Sequence, residues 1–225
     1  MELDRQLLLM LNGSGSLFLD GVMTGITSGF TWIPLYIALV FLIIRNNENM
    51  SQIMIVFGCY LICFLLSEGV CEGIVKPLAG RLRPTYDPMV RDSLLLVDGI
   101  TGAQPFSFFS AHASNTFGIA LFICLVVREW RLSTVMVVWS LLNGYSRIYL
   151  GVHYPGDVLA GFLWGAVSAI AAYLVFRKLN TKVSPEDNYV STEYTSTGYR
   201  ISDVQVVISV LVYIFVYIFI RAFYV

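Results

Sequence analysis

Long apolar segments divide this chain and constrain its fold more than any other feature. Six of them approach the length that a bilayer-spanning helix requires, about 20 residues. We predict spans at 26–44, 53–74, 107–127, 132–150, 156–176 and 203–223. The mean hydropathy of +0.73 and the charged fraction of 13% exclude an ordinary soluble domain, in which about a quarter of the residues are charged. The predicted fold class is therefore an all-α, polytopic membrane helix bundle.

The segments between the spans fit a single membrane domain over residues 1–225, with its core at 53–176. Residues 4–12 are apolar but too short to cross a bilayer, which predicts a short N-terminal interfacial helix. Residues 177–202 are polar and rich in Ser and Thr, as is typical of a linker. We therefore expect 203–223 to be an additional C-terminal span outside the main bundle.

The charges and the cysteines indicate which partners and metal sites the chain lacks signals for. The 14 Lys and Arg residues nearly cancel the 15 Asp and Glu residues, so the composition gives no indication of a nucleic-acid partner. The cysteines lie in apolar segments and lack the spacing of a structural zinc site. We predict that they are buried packing residues, namely Cys59, Cys63, Cys71 and Cys124. The sequence gives no indication of an oligomeric state.

The chain has only two histidines, His112 and His153, and both lie at predicted span ends on one side of the membrane. Three cations lie on the same side. Lys76 and Arg83 are seven residues apart near the end of the second span, about two helical turns. A basic residue at a span end commonly extends to the interface. Two histidines and three cations together, in a chain with few charges, indicate an anion site.

Two further segments strengthen this interpretation. In FFSAHASNTFG, Ser110 is a candidate N-cap of the third span, which would leave backbone N–H groups at the helix start free for an anion. In SRIYLGVHYPGD, Pro155 suits the first position of the next helix. Asp157, four residues after His153, can hold one ring nitrogen and leave the other as a nucleophile. Arg147 offers a planar fork of donors for phosphate oxygens.

Together these segments resemble the three signature motifs of the type 2 phosphatidic acid phosphatase superfamily. The matching residues are Lys76xxxxxxArg83-Pro84, Ser110-x-His112 and Ser146-Arg147xxxxxHis153xxxAsp157, in the family's order and spacing. The resemblance covers residues from about 53 to 176. The family includes bacterial lipid phosphate phosphatases, glucose-6-phosphatase and the vanadium-dependent haloperoxidases.

The resemblance implies a role for each matching residue. His153 would attack phosphorus and form a phosphohistidine, with Asp157 orienting it, and His112 would protonate the leaving oxygen and then activate water. The phosphoryl oxygens would be held by Lys76, Arg83, Ser110, Ala111 and Arg147. No metal and no other cofactor is predicted, because three fixed cations can stabilise the charge that Mg²⁺ stabilises elsewhere.

The sequence departs from the family in two respects. Phe109 and Ala111 replace the proline and glycine of the second motif, and a positive φ at Ala111 would be costly. The family commonly has three spans before the loop of the first motif, whereas we predict two and the short N-terminal helix.

Catalytic residues at span ends lie where lipid headgroups are, so the predicted function is that of an integral-membrane lipid phosphate phosphatase. A lipid A phosphate or undecaprenyl diphosphate is favoured, with phosphatidylglycerol phosphate and phosphatidic acid as alternatives. A different class also stays open: an anion or phospholipid transporter, or a phosphate-binding membrane protein without hydrolysis. The His153–Asp157 pair favours the hydrolase, because anion binding alone needs no oriented nucleophile.

The placement of Lys and Arg predicts the orientation. Each side of the membrane holds seven of them, but three on the site's side belong to the motifs. Without those three the balance is seven against four, which favours a site facing the periplasm from a bacterial inner membrane.

Several side chains outside the motifs carry their own predictions. Glu72, four residues before Lys76, is expected to form a structural ion pair with it. Arg81 either supports the phosphate indirectly, through a residue that contacts it, or is a charge at headgroup level. The apolar patch at 94–96 is a candidate lateral entrance for a lipid tail.

Overall fold

The computed structural model describes residues 1–97, 104–183 and 192–224, and within these ranges the chain is all-helical, as predicted. Residues 184–191 of the predicted linker lie outside the described residues. The described parts form eight helices: α1 (Glu2–Leu11), α2 (Leu17–Thr27), α3 (Ile33–Arg45), α4 (Met50–Ala79), α5 (Ala111–Val127), α6 (Trp130–Tyr149), α7 (Pro155–Val183) and α8 (Ile201–Ala222).

Among the helices of the described residues, three are long and apolar enough to cross a bilayer: α4, α7 and α8. Helices α2 and α3 meet that requirement together, as a pair bent by 64°. The predicted first span, 26–44, starts inside α2, so that boundary is wrong. The physical reason is a bend between α2 and α3, because Ser28 leaves the helical conformation and a 3₁₀ turn follows at Gly29–Trp32. Pro34, in the first turn of α3, then suits the start of a new helix.

Small residues bring α5 and α7 into close contact. A Cβ atom on Gly165 would lie 2.4 Å from the carbonyl oxygen of Ser114, and one on Gly161 would lie 2.6 Å from that of Ser110. Small side chains of this kind let two membrane helices approach closely. The contact also positions the site, because it holds the start of α5 against the first turns of α7.

Helix α8 packs against the bundle along one face. Its buried residues Val207 and Leu211 belong to one apolar cluster with Leu35 of α3 and Trp139 of α6. The expectation of a last helix outside the bundle is therefore wrong. A polar linker sequence indicates a long connection, but it carries no information about where the following helix packs.

Candidate active site

Three segments that the sequence singles out meet at one end of the bundle: the end of α4, the start of α5 and the turn between α6 and α7. Helix α4 contains two π-helical turns, Leu65–Gly69 and Cys71–Val75, directly before Lys76. It ends at Gly80, which has a positive φ of 57°. Lys76 is buried and forms an ion pair with Glu72, which confirms that prediction.

Arg83 links the loop after α4 to the α6–α7 turn. Its Nε donates to the carbonyl oxygen of Gln104 at 2.6 Å, and its Nη1 donates to that of Val152 at 3.2 Å. The same Nη1 lies 3.0 Å from His153 Nε2. The guanidinium is buried and directed at the ring that the sequence identified as the nucleophile.

This contact defines the protonation of His153. A guanidinium can only donate, so the ring nitrogen that faces Arg83 must be the acceptor. The proton of the neutral ring is then on Nδ1, and Nε2 carries the lone pair. Burial, and next the positive charge of Arg147, hold the pKa of His153 well below its usual range. The imidazole is thus neutral at pH 7, the form in which it can act as a nucleophile.

Asp157 lies on the other side of the same ring. It is fully buried in the first turn of α7, and its Oδ2 is 3.7 Å from His153 Nδ1. Oδ2 also accepts from the backbone N–H of Tyr154 at 3.1 Å. The separation from Nδ1 is longer than a hydrogen bond, as is common for catalytic contacts in the absence of substrate.

His112 faces the site from the first turn of α5. Its Nε2 lies 3.4 Å from Asn143 Oδ1, while Asn143 Nδ2 donates to the carbonyl oxygen of Trp139 at 2.8 Å. Because the amide oxygen of Asn143 is the acceptor, His112 Nε2 is the donor in this contact. His112 Nδ1 is then available as the second titrating atom.

The start of α5 has the geometry that the sequence predicts. Ser110 caps the helix and accepts from the Ala113 N–H at 3.4 Å, which confirms the predicted N-cap. Its own N–H donates to the carbonyl oxygen of Asp157 at 3.0 Å and so fixes α5 to α7. Ala111 is the first helical residue and does not have a positive φ, so alanine is tolerated here in place of glycine. Phe109 is buried and accepts from Cys71 Sγ through its carbonyl oxygen.

Arg147 approaches from the last turn of α6. Its Nη1 donates to Thr27 Oγ1 at 2.7 Å, at the corner between α2 and α3. Its buried Nε has no partner within the described ranges, so it keeps donor capacity for an anion. The structure therefore gathers all eight predicted site residues at one end of the bundle, with three cations around two imidazoles.

The sequence did not identify a second group of charges beside this site. Arg81 donates to Asp157 at 2.8 Å and also forms an ion pair with Asp4 of α1. Arg5 binds Asp87 at 2.9 Å. Arg81 thus contacts the carboxylate beside His153, which fits the indirect phosphate role that the sequence left open. No local spacing could have revealed these pairs, because their members are 76 to 82 residues apart.

The helical membrane fold and the cationic site with two histidines define a class of protein. The family model of the PAP2 superfamily matches residues 54–181 of this chain. The chain therefore belongs to the PAP2 superfamily, and it is an integral multi-pass membrane protein and a lipid phosphatase.

Individual relatives agree with this assignment. A lipid A 4'-phosphatase of Bacteroides thetaiotaomicron is 35% identical over 191 residues, which cover 82% of each chain. A lipid A 4'-phosphatase of Porphyromonas gingivalis is 32% identical over 182 residues, which cover 78% of this chain and 74% of that one. The transmembrane PAP2 type phosphatidylglycerolphosphate phosphatase of Bacillus subtilis has the same fold, with a TM-score of 0.54, 22% identity and coverage of 82% and 86%.

Proposed function

We propose that this chain removes the 4'-phosphate of lipid A through a phosphohistidine formed on His153. The observation that carries the proposal is the 3.0 Å contact between Arg83 Nη1 and His153 Nε2. It directs the lone pair of a neutral imidazole at the cation that would hold a phosphoryl oxygen. A phosphate that replaces this contact accepts from Arg83 and frees the Nε2 lone pair for attack.

In the first step, His153 Nε2 attacks phosphorus in line and the bond from phosphorus to the lipid oxygen breaks. The Nδ1 proton then lies on a cationic ring, which the carboxylate of Asp157 stabilises. His112, which carries a proton on both ring nitrogens in this step, gives the Nδ1 proton to the departing oxygen and becomes neutral, so the lipid leaves as an alcohol. Arg83, Arg147 and Lys76 stabilise the charge on the phosphoryl oxygens.

In the second step, a water molecule attacks the phosphohistidine. His112, now neutral, takes the proton of this water, and the bond between phosphorus and Nε2 breaks. Inorganic phosphate leaves and both histidines return to their first state. The N–H groups of Ala111 and His112 at the start of α5, with the Ser110 hydroxyl, supply further donors for the phosphoryl oxygens.

The substrate is inferred from the relatives. Two lipid A 4'-phosphatases are at least 32% identical to this chain, and the chain matches at least 74% of their length. Their names support lipid A over undecaprenyl diphosphate, phosphatidylglycerol phosphate and phosphatidic acid. Membership in a phosphatase family supports hydrolysis over the alternative of anion transport.

The helix order supports six spans. The bent pair α2–α3 would form the first, and α4, α5, α6, α7 and α8 would form the others in alternating directions. This places the ends that carry the site together on one side. The opposite ends hold Arg45, Arg128, Arg131, Arg177, Lys178, Lys182 and Arg200. Short cytoplasmic loops collect such residues, so we propose that the site faces the periplasm.

The experiment is phosphate release from a panel of lipids by purified protein with excess EDTA. The panel contains lipid A, undecaprenyl diphosphate, phosphatidylglycerol phosphate and phosphatidic acid, and the position of cleavage on lipid A is read by mass spectrometry. His153→Ala is the test variant. Arg91→Gln is the control, because Arg91 is exposed and pairs with its chain neighbour Asp92.

We expect release from lipid A at the 4' position that survives EDTA, persists in Arg91→Gln and is lost in His153→Ala. Preference for another lipid would contradict the substrate. Release that persists in His153→Ala would contradict the nucleophile. Loss of release in EDTA that added metal restores would contradict the metal-independent mechanism.

A further inference from the structure

The two oxygens of the Asp157 carboxylate have different partners. Oδ2 faces His153 and accepts from the Tyr154 N–H. Oδ1 accepts from Arg81 Nη1 at 2.8 Å. A carboxylate that is fully buried needs its charge and both oxygens satisfied. Arg81 meets that need on the side away from the ring and so leaves Oδ2 available to His153.

Arg81 is itself held in place by the N-terminal helix. Its Nη2 donates to Asp4 Oδ2, and its guanidinium carbon lies 4.2 Å from the centre of the Tyr154 ring. Asp4 Oδ1 accepts from the backbone N–H of Gly156 at 2.8 Å. Asp4 therefore connects Arg81 to the first turn of α7, the same turn that carries Asp157.

The approach of Asp4 to α7 is close enough to constrain the sequence. A Cβ atom on Gly156 would lie 2.8 Å from Asp4 Oδ2. A larger residue at 156 would therefore force the Asp4 carboxylate to shift and would disturb its contact with Arg81. The glycine after Pro155 thus has a role in the contact between α1 and α7.

Additional contacts fix α1 at both ends. Arg5 donates to Asp87, which also accepts from Tyr154 Oη at 2.7 Å. Asn12 Nδ2 donates to the carbonyl oxygen of Tyr149 at 2.7 Å, and Leu8 is fully buried between these points. The helix that the sequence predicts as interfacial is thus attached to the walls of the site.

We propose that Arg81 and Asp4 are positioning residues that hold the Asp157 carboxylate toward His153, and that α1 is a structural part of the active site. The inference rests on the proposed function, in which Asp157 stabilises the charged ring of His153. Without Arg81, Oδ1 loses a charge-assisted hydrogen bond, and the carboxylate can turn toward other donors. Without Asp4, Arg81 loses the partner that keeps its planar fork on Asp157.

The test compares Arg81→Gln, Arg81→Lys, Asp4→Asn and the double variant Asp4→Asn/Arg81→Gln in the lipid A assay. Arg91→Gln is the matched control, since it removes an arginine charge from the same loop. We expect Arg81→Gln to lower kcat about 10- to 100-fold, the usual effect of removing a group that orients a catalytic residue. KM should change less than about threefold, because Arg81 does not contact the substrate.

The other variants separate positioning from general stability. Arg81→Lys keeps the charge but not the fork, so it should recover part of the lost kcat. The double variant should be no slower than Arg81→Gln, because both substitutions break one chain of contacts. Thermal unfolding of each variant in detergent identifies any loss of kcat that is due to unfolded protein.

The inference is overturned if folded Arg81→Gln keeps more than half of the wild-type kcat. It is also overturned if KM rises in proportion while kcat stays constant, or if the effects of the two substitutions multiply in the double variant. His153→Ala in the same assay separates this inference from the function on which it rests. If that variant is active, the proposed nucleophile is wrong, whatever Arg81→Gln does.

Discussion

Replacement of Asp157 by Asn tests the role of the buried carboxylate most sharply. Donors face both of its oxygens: Arg81 Nη1 at 2.8 Å from Oδ1, and the Tyr154 N–H with the His153 ring beside Oδ2. An asparagine side chain has one oxygen and one NH₂ group. In either orientation it directs a donor at a donor, so no rotation of the amide restores the wild-type contacts.

The two orientations of the asparagine amide set the range of the expected loss in kcat. With NH₂ toward Arg81, the charged ring of His153 keeps an oxygen partner but loses the negative charge. Hydrogen bonds to charged groups contribute about 1.5–3 kcal/mol, which corresponds to roughly 10- to 150-fold in rate. With NH₂ toward His153, the amide opposes the proton on Nδ1, and the other tautomer, with its proton on Nε2, cannot attack. The loss then approaches the roughly 10⁴-fold seen when the aspartate of a Ser-His-Asp triad is replaced by Asn.

The assay is the initial rate of phosphate release from lipid A over a range of substrate concentrations. We expect Asp157→Asn to lower kcat at least about 10-fold with little change in KM. Asp92→Asn is the control, because Asp92 is exposed and pairs with its chain neighbour Arg91. A kcat for Asp157→Asn within about threefold of that of Asp92→Asn would refute the reasoning.

Three further predictions follow from the structure. Gly165→Ala would place a Cβ atom 2.4 Å from the carbonyl oxygen of Ser114, so it should lower the free energy of unfolding by about 1–3 kcal/mol and lower the melting temperature. Gly58→Ala, with open space around it, should not, and equal melting temperatures of the two variants would contradict the close contact. The His112→Asn variant has one histidine, so its ¹⁵N NMR spectrum reports His153 alone. The lowered pKa and the Arg83 contact predict a ring that is still neutral and protonated on Nδ1 at pH 6.5, the midpoint of an ordinary histidine. A midpoint near 6.5 or a proton on Nε2 would contradict them. Replacing Leu94, Leu95 and Leu96 by Ser should raise KM far more for a long-chain than for a short-chain substrate, because Leu95 and Leu96 are exposed at 55% and 46% and could contact a lipid tail. Equal changes in KM would contradict a lateral entrance.

The parts of the site that could be predicted depend on short sequence spacing. Pro155 begins α7 and Asp157 follows His153 by four residues, so one helix start determines where both side chains lie. The Ser110 cap and the Glu72–Lys76 pair are also local, because a helix places residues three or four apart on one face. Such contacts follow from helix geometry alone.

The parts that could not be predicted depend on tertiary packing. Arg81 meets Asp4 and Asp157, each more than 70 residues away, and no periodicity relates these positions. The corner at Ser28 falls within a continuous apolar run, where composition does not distinguish a straight span from a bent one. The packing of α8 on α3 and α6 likewise follows from the shapes of buried side chains.

The central claim is that His153 is the nucleophile. The most direct measurement uses lipid A carrying ³²P at the 4' position, mixed with enzyme and quenched in alkaline detergent, followed by mapping of the labelled peptide. We predict label on His153 that is lost on brief acid treatment and absent in His153→Ala. His112→Asn should slow both the formation and the loss of this label, because it lacks the acid of the first step and the base of the second. Label on another residue, or turnover of lipid A with no labelled protein in either wild type or His112→Asn, would contradict the account.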